Sequence, residues 1–193
     1  IERVNFLSIS ASNLDEFYMV RIPSLFDEIE NNPNKISHDG MTGHQQLKAA
    51  QNASVKIFKN QDDSFRKLVR ELNAEKIIHI TPNKLNIRLK KNLKKLFNEE
   101  ILPILTPISI DPVHPFPFIP NLGFALVLQM SRLTDGKKMN ALLPLPQQLK
   151  RFIKLPANPD KTVFLPLENL VSLYLESIFP GYEILGQGVF RVL

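Results

Sequence analysis

Apolar positions recur at helical spacing through the first 76 residues and give way to short β-type runs after them. Val4, Leu7 and Ala11 fall on one face of an amphipathic helix over residues 1–11. Asn13 follows where an N-cap is expected, and Asn13-x-x-Glu16 reads as a capping box with Asp15 and Glu16 in the first turn of the next helix. That second helix is predicted to run to about Glu30, to kink at Pro23, and to end at Asn31-Asn32-Pro33-Asn34. From about Thr42 to Leu72 the positions Leu47, Ala50, Ser54, Ile57, Gln61, Phe65, Leu68 and Leu72 alternate in steps of three and four. They form one stripe of a long helix that packs as a hairpin on the first two. Ser54 and Gln61 interrupt the stripe, which favours an intramolecular face over a coiled coil.

Beyond residue 76 the elements mix. Ile77–Ile80 is a short β-type run, and Asn83–Phe97 reads as a helix with Leu85, Leu89, Leu93, Leu96 and Phe97 on its apolar side. Pro103–Pro120 holds six prolines in eighteen residues and predicts an extended, rigid connection. Phe124–Met130 and Met139–Leu143 read as strands joined by a turn at Asp135-Gly136, with a third strand at Thr162–Leu165. A helix over Leu167–Phe179 stops at Pro180-Gly181, and residues 188–193 look like a further strand. The fold class expected is α+β: an all-α domain over 1–76, then over 77–193 a partial α/β head domain with a small mixed or antiparallel sheet.

Charge and proline divide at the same place. Residues 1–76 carry ten Lys/Arg against eleven Asp/Glu, and residues 77–193 carry fourteen against eight; two of fifteen prolines precede Ile77. The overall net charge of +5 does not by itself mark a nucleic-acid binder. With no cysteine there is no disulfide, Cys-ligated zinc or thiol nucleophile, which fits a reducing compartment. No apolar run approaches the ~20 residues of a membrane helix. The opening residues read as mid-helix and the last ones as mid-strand, so the expectation is a piece of a longer protein.

Familiar catalytic signatures are missing: no phosphate-binding P-loop, no G-x-G-x-x-G, no G-x-S-x-G, no H-E-x-x-H. His38, His44, His79 and His114 have no metal-ligand spacing. Three places hold candidate chemistry. Asn13 is either a helix cap or a carboxamide, donor and acceptor at once, presented to a ligand such as an adenine edge. Lys84, Arg88, Lys90, Lys91, Lys94 and Lys95 run without an intervening acid, with 84, 88, 91 and 95 on one helix face. They are either a solvated face or a seat for a polyanion, and the run has no aromatics to stack on bases, so a phosphate chain suits it better than single-stranded nucleic acid. His114, between Pro112 and Pro115, either bonds a loop carbonyl or is aimed by its rigid surroundings.

Two stretches resemble one family. Arg3-Val4-Asn5-Phe6-Leu7-Ser8-Ile9-Ser10-Ala11-Ser12-Asn13-Leu14-Asp15-Glu16-Phe17-Tyr18-Met19-Val20-Arg21 is similar to the N-terminal signature of bacterial polyphosphate kinase, the large histidine-phosphorylated type. Residues 104–122, with Leu105-Thr106-Pro107, Asp111-Pro112-Val113-His114-Pro115-Phe116-Pro117 and Asn121-Leu122, resemble that family's second block. The resemblance implies an enzyme that moves the γ-phosphate of ATP reversibly to polyphosphate through a phosphohistidine. Its catalytic histidines and Mg²⁺-binding arginines lie in domains that this chain does not reach, so no catalytic or metal residue is expected here. It makes Asn13 the contact to the base of ATP and Arg88, Lys91 and Lys95 candidates for polyphosphate. Arg21 belongs to the signature without a role to transfer. Partners implied are ATP/ADP, polyphosphate and a second copy through the head domain, with no nucleic acid, and the location implied is cytoplasmic, free or peripheral to the inner membrane. The rival reading is a non-catalytic helical scaffold that binds a polyanion or a protein.

Overall fold

The computed structural model describes residues 1–110 and 116–193, which form two compact units, Ile1–Glu75 and Lys76–Val192. His114 and the centre of the proline-rich stretch lie outside the described residues.

The first unit is a helical hairpin. Helix α1 (Glu2–Glu16) passes into a π-helical turn over Phe17–Arg21 and then into α2 (Ile22–Asn31). The expected break at Asn13 does not occur: Asn13 is inside α1, and no capping box forms with Glu16. An interior asparagine costs only ~0.5 kcal/mol of helix propensity, and residues 14–21 contain no glycine or proline to stop the helix. Burial of Leu14 against the returning helix therefore outweighs the local preference for a cap.

Where the sequence predicts a kink at Pro23, the structure has a π-turn ending two residues before it. Proline cannot donate to the carbonyl four residues back and its ring crowds that carbonyl; the wider π-turn just before it relieves both. The turn also resets the helix phase. Leu14 and Ile22, both buried, would stand about 80° out of line along an uninterrupted α-helix. The extra residue of a π-turn takes back about 100°, which leaves both facing the same neighbour.

That neighbour is α3 (Gly43–Ala74), 32 residues long. It starts in a capping box: the Gln45 amide N–H donates to Thr42 Oγ1 at 3.4 Å, and the Thr42 N–H donates to Gln45 Oε1 at 2.9 Å. Ser54 and Leu68 of the stripe are buried and Leu47, Ala50, Gln61 and Leu72 are half-buried, whereas Phe65 remains 55% exposed. The connecting loop is held by a short bridge between Ile36 and Thr42 and by Ser37, whose backbone N–H donates to the Met41 carbonyl at 3.0 Å. Arg3 and Glu71 form a bidentate ion pair toward the other end of the hairpin; both are exposed, so it adds ~1 kcal/mol at most.

The second unit has two sheets. One is three-stranded, with β1 (Ile77–His79) parallel to β6 (Thr162–Pro166) and β6 antiparallel to β5 (Phe152–Leu155). The other is antiparallel and four-stranded, in the order β2 (Ile108–Ile110), β4 (Lys138–Leu145), β3 (Phe124–Arg132), β7 (Tyr182–Arg191). One mixed and one antiparallel sheet thus replace the single sheet expected. Helices α4 (Ile87–Leu96), α5 (Leu167–Ser172) and α6 (Leu175–Ile178) complete the unit.

One core joins the inner faces of both sheets to these helices. Leu126, Leu128 and Met130 of β3, Leu143 of β4, Leu165 of β6, Leu170 and Val171 of α5, and Phe97 just past α4 are fully buried in it. Each such side chain contributes ~1.5–3 kcal/mol on leaving water. A smaller cluster of Ile119, Ala125 and Leu142, with Ile108, Ile110 and Phe190 packed on it, covers the opposite face of the four-stranded sheet. Among the described residues no helix is long and apolar enough to cross a membrane.

Candidate functional site

Asn13 sits on the side of α1 that meets α3, where the two helices leave an open groove of about 610 Å³. Ile9, Ser10, Asn13 and Leu14 of α1 and Phe17 of the π-turn form one wall; Ala50, Ala53, Ser54 and Ile57 of α3 form the other. The lining is mostly apolar with a few polar groups, the composition of small-molecule sites of ~300–1,000 Å³. Small residues at 50, 53 and 54 keep the α3 wall low, and this makes the room.

The polar groups differ in how far they are committed. Ser54 Oγ donates to the Ala50 carbonyl at 2.8 Å and is closed off within its own helix. Ser10 Oγ accepts from Gln61 Nε2 at 3.0 Å. The carboxamide of Asn13 makes no hydrogen bond to any other group among the described residues. Asn13 is exposed and lines the groove. Sequence reasoning missed Ser10, Ser54 and Gln61, although the two polar breaks in the α3 stripe were the signal that this helix face is not purely a packing face.

Arg21 is not in the groove. Its Nη2 donates to Gln46 Oε1 at 3.3 Å, and Gln46 Nε2 donates to Ser37 Oγ and to both Asp39 oxygens, at 3.1 and 3.0 Å. This chain of contacts ties the π-turn to the start of α3 and to the loop between the hairpin arms. Asp39 is held below the ordinary carboxylate range chiefly by the Ser37 hydroxyl, then by Gln46 and the Met41 N–H.

On α4 the basic residues separate into two groups. Asn86 caps the helix by accepting from the Leu89 N–H at 2.8 Å, so Lys84 falls in a 3-10 turn before it and is not on the helix face where it was expected. Arg88, Lys91 and Lys95 are exposed along one face, with Lys95 only 4.0 Å from Glu99 as its nearest acid. Lys94 turns inward. Its ammonium meets Ser177 Oγ and lies 4.7 Å from the Tyr174 ring centroid and 5.8 Å from that of Phe97. Lys90 contributes its backbone carbonyl, which accepts from the Tyr174 hydroxyl at 2.6 Å. Burial raises the Tyr174 pKa, which keeps that donor protonated.

The chain thus joins a helical hairpin with an open, mostly apolar groove to a two-sheet unit carrying an exposed cationic helix. Residues 1–80 match the profile of the polyphosphate kinase N-terminal domain, and residues 88–193 that of the polyphosphate kinase middle domain. The chain belongs to the polyphosphate kinase family. It is 37% identical over 194 residues to the polyphosphate kinase of Erythrobacter litoralis and 36% identical over 196 residues to that of Mycolicibacterium gilvum, covering 100% of this chain in both cases. The crystal structure of polyphosphate kinase from Porphyromonas gingivalis matches with a TM-score of 0.77 at 26% identity, over 95% of this chain and 27% of that one. The chain spans about a quarter of the length of these relatives, 26% and 27% of the two sequences. Matches to both domains in order set aside the reading of a free-standing scaffold.

Proposed function

We propose that this chain is the nucleotide-recognition and head portion of an ATP:polyphosphate phosphotransferase, with Asn13 as the contact to the adenine of ATP. The observation that carries the proposal is the uncommitted Asn13 carboxamide on the rim of an otherwise apolar groove, inside the family's N-terminal domain. An asparagine amide can give one hydrogen bond to adenine and accept another, and the apolar walls favour a flat ring over a sugar or a phosphate. Base recognition of this kind is positioning: it places the phosphates for in-line transfer, in which alignment and charge neutralisation supply most of the rate.

In this proposal the phosphate-accepting histidine and the residues that hold Mg²⁺ lie outside the chain. Among the described residues no three His, Asp or Glu side chains come together as a metal site. Arg88, Lys91 and Lys95 are the proposed polyphosphate contacts, since three exposed cations in line on one helix suit a linear polyanion. Association of two copies through the head domain and a cytoplasmic location, free or peripheral to the inner membrane, belong to the same proposal. The test is Asn13→Ala in the full-length kinase. Loss of one or two hydrogen bonds raises the KM for ATP roughly tenfold with little change in the response to polyphosphate, and unchanged nucleotide kinetics would defeat the assignment.

A further inference from the structure

Ser10 and Asn13 stand one turn apart on the groove side of α1. Residues at that spacing have Cβ atoms about 5–6 Å apart, a distance over which one purine can meet both side chains. Ser10 differs from two other serines of the helical hairpin, Ser24 and Ser54. Ser24 and Ser54 spend their hydroxyl protons on the carbonyl four residues back, at 3.0 and 2.8 Å. Ser10 does not. Its oxygen accepts from Gln61 of the opposite helix, and its proton has no acceptor among the described residues. A hydroxyl whose oxygen is fixed by a donor on one side presents its O–H away from that donor.

We propose that Ser10 is a second base-binding residue, donating its hydroxyl proton to a ring nitrogen of the purine whose exocyclic edge Asn13 takes, with Gln61 as the positioning residue that holds Ser10 in its donor orientation. The inference rests on the reading of the groove as the adenine site. It gives a role to Gln61, one of the two polar breaks in the α3 stripe: its amide sets the direction of a hydrogen bond made one helix away. It also separates the two contacts by chemistry. Asn13 reads the pattern of donor and acceptor on the exocyclic edge, whereas Ser10 needs only an unprotonated ring nitrogen.

The experiment measures nucleotide affinity of the full-length kinase by calorimetry, using ATP and its 1-, 3- and 7-deaza analogues, for the natural protein and for Ser10→Ala, Gln61→Leu and Asn13→Ala. Removing one neutral hydrogen bond weakens ATP binding roughly 3- to 10-fold in Ser10→Ala. One of the three deaza analogues binds the natural protein more weakly than ATP by a similar factor, and Ser10→Ala no longer distinguishes that analogue from ATP. Gln61→Leu gives a smaller loss, and adds nothing further when combined with Ser10→Ala. A helix–helix contact without a role in binding would not couple to a single ring nitrogen in this way. If Ser10→Ala binds ATP and all three analogues as the natural protein does while Asn13→Ala is impaired, the Ser10 inference fails and the adenine site stands. If Asn13→Ala is also unimpaired, the adenine reading itself is refuted.

Discussion

Lys94→Met distinguishes an inward lysine from its outward neighbours on the same helix. The ammonium of Lys94 is half-buried, bonds Ser177 Oγ and lies over Tyr174 at 4.7 Å and Phe97 at 5.8 Å. A hydrogen bond from a charged donor is worth ~1.5–3 kcal/mol and a cation over an aromatic face ~0.5–2 kcal/mol; partial exposure places both near their lower limits. Methionine keeps the aliphatic stem and gains a sulfur–aromatic contact of ~0.3–1.5 kcal/mol. The net loss expected is about 1–2 kcal/mol, which for a chain of this size lowers Tm by about 2–8 °C. Thermal unfolding followed by circular dichroism measures it, with retention on immobilised polyphosphate at several salt concentrations as the companion assay. Lys91→Gln and Lys95→Gln should do the reverse, leaving Tm within about 1 °C and reducing the salt slope of retention by roughly one per charge. A Lys94→Met chain that keeps its Tm but loses retention as Lys91→Gln does would refute the division of the helix into packing and binding cations.

Three further outcomes test the framework of the two units. Thr42→Ala removes half of the capping box at the start of α3 and costs ~1 kcal/mol by denaturant titration, while Thr42→Ser stays close to the natural protein. Asp39 has its carboxyl pKa lowered from 3.8, so its bonds to Ser37, Gln46 and Met41 contribute fully above that pH and are lost as pH falls through the lowered value. Asp39→Asn is therefore less stable at neutral pH, and the gap to the natural protein closes as unfolding is measured at progressively lower pH beneath 3.8. Gly123→Ala places a Cβ 2.7 Å from the Pro120 carbonyl oxygen and 3.0 Å from Ile119 Cγ2; the first is backbone that cannot swing aside. A loss of ~1–3 kcal/mol by the same titration is expected.

Elements set by strong local signals were legible in the chain. The α3 stripe, the β3–β4 hairpin around Asp135-Gly136 and the stop at Pro180-Gly181 each combine periodicity with turn chemistry, and each lies within a few residues of its expected place. The misses have tertiary causes. Phe152–Leu155 shows no pattern of its own because only four residues pair, and they pair with β6, which a sequence pass sees as unrelated. β7 begins at Tyr182 rather than near 188: Gly186 and Gly188 look like breakers, but their place beside β3 leaves open space or an ordinary contact with Val127. At the groove, Asn13 was picked out by residue type and by family resemblance, yet its supposed cap geometry was wrong because burial of Leu14 carries the helix through it. Ser10 and Gln61 come together only across the hairpin, 51 residues apart, and no local pattern reports such a pair.

The wide turn at Phe17–Arg21 limits how this stretch could be transplanted. A designed scaffold carrying residues 3–21 in ideal α geometry would swing its second half by about 100° relative to its first. Asn13 could then keep its seat beside a partner helix only if Arg21 gave up Gln46, or the reverse. Grafts and deletion variants that respect the residue spelling but not this local unwinding would keep the signature and lose one of its two anchorages.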